Sequence, residues 1–256
     1  ASSYNIGIGT YAMDSALNGA LNNVAIGYYA LSAITTADNS IALGTGALQE
    51  LTTGGSNIAI GRAAMNVHTT GGNNIAIGYG AMDDTDAGST SLGSTHNVFI
   101  GLDAGGGTWT DVASNQNVAI GNYSMDSALD GALKNTGVGY AALSAITTGD
   151  SNTALGHNAG VSITTGAENV TIGAASGQTI SGGNYNTILG SSSALSLAGG
   201  SYNNIIGRRA GYSLTSGEYN TALGSTALYS NQTGQGSVGL GQAAGYSFTG
   251  GGGIFI

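Results

Sequence analysis

A five-residue word ending in glycine recurs along this chain at nearly constant spacing, and a fixed period of that length dictates the fold before any local propensity is weighed. The word opens with Asn, continues with a β-branched residue and a small one, and closes with an aliphatic residue and Gly. It reads Asn5-Ile6-Gly7-Ile8-Gly9, Asn23-Val24-Ala25-Ile26-Gly27, Asn57-Ile58-Ala59-Ile60-Gly61 and Asn74-Ile75-Ala76-Ile77-Gly78. Later copies begin at Asn97, Asn117, Asn135, Asn152, Asn169, Asn186, Asn203 and Asn220, and Ser40 and Ser237 take the Asn slot twice. From Gly9 to Gly241 the closing glycines stand 17 residues apart, except for intervals of 18, 23, 20 and 18.

Within the word the strict alternation has the period of two that marks a strand rather than a helix. The third residue after each closing glycine is almost always Ala or Ser (Ala30, Ala47, Ala64, Ser124), so bulk is excluded there. An apolar residue follows at the seventh position (Ile34, Leu51, Ile146, Ile163), usually before a Thr-Thr turn. These positions predict two short strands per repeat. Equal repeats of this kind stack as an all-β parallel solenoid, here a single repeat domain over residues 1–256 with about 14 coils rising ~4.8 Å each. The longer coils fall near 79–101 and 102–121. The closing Gly is expected at a corner that needs positive φ or close backbone approach. The Asn column is expected to form a ladder of stacked amides.

A second order of repetition lies above the first. Met13-Asp14-Ser15-Ala16-Leu17 returns at Met125 to Leu129 and Ala30-Leu31-Ser32-Ala33-Ile34 at Ala142 to Ile146, both shifted by 112 residues. The chain ends at Ile256, one residue short of another closing glycine, which predicts a longer parent extended by copying blocks of coils.

Composition narrows the classes of function. Charged residues make up 7% of the chain against about 25% in an ordinary soluble domain, so Ser, Thr, Asn and Gly must form most of the surface. Hydrophobic residues at 41% are too many for a disordered linker. Thirteen acids against four bases give a net charge of -9, the wrong sign for binding nucleic acid. Cysteine is absent, which excludes disulfides and thiolate metal sites and fits an exported protein. No apolar run approaches the ~20 residues of a membrane span, and the first residues lack the pattern of a signal peptide.

Both faces of the word's strand are apolar or small. One fills the coil's own core, and the other needs a partner. The small column of Ala25, Ala42, Ala59 and Ala76 predicts close approach of several copies around a common axis, with three the favoured number. At this point the word with its following Ala-Leu resembles the head repeats of trimeric autotransporter adhesins, and the 17-residue form with Thr-Thr-Gly turns resembles repeats of phage tail fibres. The resemblance covers nearly the whole chain and implies a left-handed β-roll, a homotrimer, and attachment or display at a cell or virion surface. Adhesin heads usually have shorter repeats, and neither a coiled-coil stalk nor a membrane anchor accompanies these.

Several segments invite a chemical reading. Asp83, Asp84 and Asp86 offer clustered oxygens suited to calcium, against a solvated acidic turn. No other cofactor is implied. Trp109, the only tryptophan, would stack on a sugar if exposed and would anchor its loop if buried. The paired hydroxyls Thr35 and Thr36, Thr52 and Thr53, Thr69 and Thr70, Thr147 and Thr148, and Thr164 and Thr165 are expected to face solvent as candidates for O-linked glycans. Tyrosines recur in two columns, Tyr185, Tyr202 and Tyr219, then Tyr212, Tyr229 and Tyr246, either as structural stacks or as a sugar-binding face. Windows such as Gly137-Val138-Gly139-Tyr140-Ala141-Ala142 mimic a dinucleotide fingerprint but recur coil after coil with no helix to follow them. His68, His96 and His157 are scattered, and no nucleophile motif accompanies them.

The reading is therefore an adhesive or structural extracellular fibre and not an enzyme. Its expected partners are copies of itself, side by side and end to end, with surface glycans or receptors beyond them. The alternative is a glycan-binding receptor module of the tail-fibre type.

Overall fold

The structure, a computed structural model, describes residues 3–85, 93–109 and 112–256. It is an all-β parallel solenoid of about 14 turns, and no helix occurs among the described residues. Two compact units divide the chain, Ala1–Lys134 and Asn135–Ile256. The first holds β1 (Ile6–Ile8), β2 (Val24–Ile26), β3 (Ile41–Leu43), β4 (Ile58–Ile60), β5 (Ile75–Ile77), β6 (Val98–Ile100) and β7 (Val118–Ile120). The second holds β8 (Thr136–Val138), β9 (Thr153–Leu155), β10 (Val170–Ile172), β11 (Thr187–Leu189), β12 (Asn204–Ile206), β13 (Thr221–Leu223), β14 (Val238–Leu240) and β15 (Ile254–Phe255). Within each unit every strand pairs in parallel with its sequence neighbours, word on word: Val24 lies beside Ile41, Ala25 beside Ala42 and Ile26 beside Leu43. The 23-residue interval leaves this register intact, with Ala76 beside Phe99.

Two expectations are corrected. The small column does not face a partner. Ala25, Ala42, Ala59 and Ala76 are fully buried inside their coils, and it is the flanking Val, Ile and Leu columns that point outward. A coil of 17 residues encloses too little space for two bulky strand residues as well as Leu31 and Ile34, so the smaller face of the strand turns inward.

The second correction concerns the strands. Among the described residues each coil has one, not two. After the closing glycine, every second residue is left-handed, as at Tyr29 (φ 56) and Leu31 (φ 50). This stretch still bonds coil to coil, Leu31 N–H donating to the Ala47 carbonyl at 3.0 Å and Ala33 N–H to that of Gln49 at 3.0 Å. Alternating handedness lets the consecutive residues Ala30 and Leu31 both turn inward, which a pleated strand forbids. A left-handed L-residue costs about 1–2 kcal/mol, and the coil-to-coil hydrogen bonds and core burial must offset it.

The closing glycines meet both requirements set for them. Gly27 has φ 142, and a Cβ there would lie 2.6 Å from the carbonyl carbon of Gly44 on the next coil. The Asn column is a buried amide ladder. Asn186 Nδ2 donates to Asn169 Oδ1 at 2.9 Å and to the Gly200 carbonyl at 2.9 Å, while its own Oδ1 accepts the backbone N–H and Nδ2 of Asn203 at 3.1 and 3.0 Å. Ser40 continues the ladder in its slot, its N–H donating to Asn23 Oδ1 at 2.8 Å and its Oγ accepting from Asn57 N–H at 3.3 Å.

Candidate interaction face

The outward side of the strands is the most unusual surface of each unit. In the first unit the outer columns contain only Ile, Val and Leu, from Ile6 and Ile8 to Val118 and Ile120. Ile41 and Leu43 on β3 remain 40% and 42% exposed. In the second unit one outer column keeps aliphatic residues, with Leu155 and Leu223 both 48% exposed. The other column becomes Thr136, Thr153, Val170, Thr187, Asn204, Thr221, Val238 and Ile254. Among the described residues no charged residue occupies an outward strand position in either unit. Parallel sheets are almost always covered on both faces, because their strands are apolar on both sides. Here the coil covers one face only.

The Thr corners divide into two classes that the sequence did not separate. Thr36, Thr53, Thr70, Thr148 and Thr165 are exposed. Thr35, Thr52, Thr69, Thr147 and Thr164 are half-buried. In four of these the hydroxyl donates to a carbonyl of the next coil: Thr35 to Thr52 at 3.0 Å, Thr52 to Thr69 at 3.0 Å, Thr147 to Thr164 at 3.2 Å and Thr164 to Ser181 at 3.2 Å. Only the second Thr of each pair faces solvent freely, which corrects the expectation for the first.

Trp109 is fully buried, its ring edge-on to Phe99 at 5.8 Å. It anchors its loop, and no face of the indole is open to a sugar. The tyrosine columns form parallel stacks, Tyr185 to Tyr202 at 4.9 Å and Tyr202 to Tyr219 at 5.0 Å, Tyr212 to Tyr229 at 5.0 Å and Tyr229 to Tyr246 at 4.8 Å. Rings stacked this closely spend their faces on one another and offer mainly edges. Glu168, one coil before Tyr185, raises the pKa of its hydroxyl above the ordinary value through charge repulsion.

The acidic residues of the turn, Asp83 and Asp84, meet partners on the next coils. Asp84 Oδ2 accepts a hydrogen bond from Thr108 Oγ1 at 2.7 Å, and Asp86 lies outside the described residues. Asp83 lies within the reach of Asp103 and Asp126 as well as of Asp84. Its pKa is pushed up to about 6 by burial and by the Asp103 and Asp84 charges, and that of Asp126 to about 6 by burial and Asp103. No group of three His, Cys, Asp or Glu side chains among the described residues is arranged to hold a metal ion. The three-way arrangement was hidden in the sequence because Asp83, Asp103 and Asp126 lie on three successive coils of unequal length.

His68 takes the core position that Ile34 and Leu51 fill elsewhere. It is fully buried, with Nδ1 2.9 Å from Thr85 Oγ1 and Nε2 3.3 Å from Asn74 Nδ2, so it is tied into the Asn ladder. No helix of the described residues is long and apolar enough to cross a membrane.

Compared with protein-family models, curated protein sequences and solved structures, the chain matches none of them.

Proposed function

We propose that this chain is the structural segment of an extracellular fibre at a bacterial or viral surface, built from parallel copies of itself, and that its role is mechanical and adhesive rather than catalytic. One observation carries the reading: the uncharged outer face of the strands, aliphatic in both columns of the first unit and in one column of the second, which lies uncovered in the single chain. Burying it contributes ~25 cal/mol per Å² of apolar surface removed from water. A second copy suits it best, since a surface ridged at every coil is matched row for row only by a surface of the same spacing. Three copies in a left-handed roll are the form the adhesin-head resemblance implies. In such an assembly the exposed corner hydroxyls of Thr36, Thr53, Thr70, Thr148 and Thr165 stay outermost and are the positions for O-linked glycans.

The test is the native mass of the full chain by analytical ultracentrifugation, followed by cryo-electron microscopy. A trimer whose contact face is the strand surface, dissociated by Ile58→Lys with Ile75→Lys, supports the proposal. A monomer, or an oligomer indifferent to those substitutions, overturns it. Peptide mass mapping of native material tests the glycans: mass added to the second Thr of each pair is expected, and an unmodified polypeptide mass removes them.

A further inference from the structure

An interface made of identical coils has a difficulty that the composition of its outer columns sharpens. Sliding one copy past another by a whole coil, ~4.8 Å, places equivalent rows in contact again. In the first unit the outer columns give no penalty for such a slip beyond the rows it uncovers at the ends, because Ile, Val and Leu face their like in every register. Strands lacking distinctive side chains specify register weakly.

The second unit breaks this degeneracy at one residue. Asn204 opens β12 and is exposed on the outward face, beside Thr187 on one coil and Thr221 on the other. It is the only carboxamide at an outward strand position among the described residues. It is distinct from the buried ladder residue Asn203 before it, and its side chain makes no hydrogen bond within the described chain. Its neighbours tolerate a slip: Thr has nearly the shape of Val, and a single hydroxyl finds a local partner easily. A carboxamide has two donors and an acceptor with two lone pairs: a one-coil slip sets it against Thr187 or Thr221, whose single hydroxyl leaves part of it unpaired, and a two-coil slip sets it against Val170 or Val238, where all of it is stranded at a cost. Another Asn204 at the same height satisfies donor with acceptor. A lone polar Asn in an otherwise apolar seam is known to fix register and oligomer number in coiled coils at some cost in stability.

We propose that Asn204 is the register key of the homo-oligomer: copies align so that their Asn204 amides meet and hydrogen-bond, and this contact selects one axial alignment among otherwise equivalent ones. The inference rests on the assembly proposed above, and its partner is a second copy of this chain.

The chain has no cysteine, so a single spin label can be placed at an exposed corner with Ser216→Cys, away from the strand face. Inter-copy distances are then measured by double electron–electron resonance in the full chain with Asn204 present and with Asn204→Val. One narrow distance is expected with Asn204. Added longer distances, from axial shifts in steps of ~4.8 Å, are expected with Asn204→Val at unchanged native mass. A single narrow distance that survives Asn204→Val overturns the proposal while leaving the assembly standing. A monomeric native mass removes the assembly and the key together. Asn204→Asp reads location independently: like charges brought together weaken assembly by roughly tenfold or more at neutral pH, reversed on acidification. Assembly at neutral pH indifferent to that change places Asn204 outside the interface and overturns the assignment.

Discussion

Phe99 and Gly105 share one core volume: a Cβ built on Gly105 would lie 2.6 Å from Cδ1 of Phe99. The neighbouring coils distribute the same space the other way, Ala59 with Met65, Ala76 with Met82 and Ala119 with Met125, all fully buried. In these coils the strand centre and the residue six positions on trade bulk, one large where the other is small. Ile205 with Gly211 repeats the Phe99 solution, the nearest Ile205 atoms lying 3.3 Å from a Cβ placed on Gly211.

This trade makes a test by compensation. Phe99→Ala should cost about 3–5 kcal/mol through the cavity it leaves. Adding Gly105→Met should restore most of that, since Met65 and Met82 adopt the left-handed conformation that Gly105 shows (φ 50, 54 and 65). Urea denaturation of the four members of this cycle measures the coupling. Additive losses would mean that the two sites do not share a volume.

The glycine ladder predicts unequal costs for one chemical change. Gly44→Ala should destabilise by about 3 kcal/mol or more, because its Cβ would sit 2.6 Å from the Gly61 carbonyl carbon and no flexible side chain is there to yield. Gly19→Ala, with φ 99 but nothing within 4 Å, should cost only about 1 kcal/mol from backbone strain. Thermal melting of the two variants decides it, and equal losses would show that conformation rather than close approach fixes glycine at the ladder.

Much of this architecture is legible in the sequence, and the part that is not has a physical cause. The period, the parallel stacking, the glycine corner and the Asn ladder follow from Asn23 to Gly27 and its copies, because each requires one residue type at one place. The facing of the strand is harder to read: small Ala25 invites an oligomer axis, when Ala25 and Leu31 are both fully buried in the coil's own core. The apolar cluster at Ala30 to Ile34 suggests a second strand. Yet two adjacent inward side chains, Ala30 and Leu31, contradict a period of two. Pairing each strand centre with the residue six positions later corrects both.

The Asn ladder predicts that chemistry, not volume, governs its slot. Asn186→Ala removes a donor to the Gly200 carbonyl and to Asn169 Oδ1, and the acceptor of Asn203 N–H, all in a buried site. Each stranded group costs about 1–3 kcal/mol. Asn186→Ser should lose less, as Ser40 in the same slot shows a hydroxyl oxygen accepting the N–H of the next ladder residue at 3.3 Å, an acceptor that alanine lacks. Chemical denaturation should rank wild type above Asn186→Ser and that above Asn186→Ala. A serine variant no better than alanine would show that the ladder depends on the amide pair itself.

Asp83 and Asp126 predict a pH dependence whose sign opposes the usual one for paired carboxylates. Both have folded-state pKa values raised to about 6, above the ordinary 3.8, since burial and the Asp103 charge disfavour ionisation. The folded state therefore holds more protons than the unfolded chain between pH ~4 and ~6. Their contribution to stability is fully present below the unfolded pKa and is lost as pH rises through the folded value. Both groups are only half-buried, so solvent screening leaves a fraction of the ~1.4 kcal/mol that a tenfold change in proton affinity is worth in full. Melting temperature should fall from pH 4 to pH 6.5 in the wild type. Asp103→Asn removes the repulsion the two residues share, lowers both pKa values and flattens that slope. Carboxyl-carbon NMR titration reads the pKa values directly, and ordinary values near 4 in the wild type would remove the basis for the prediction.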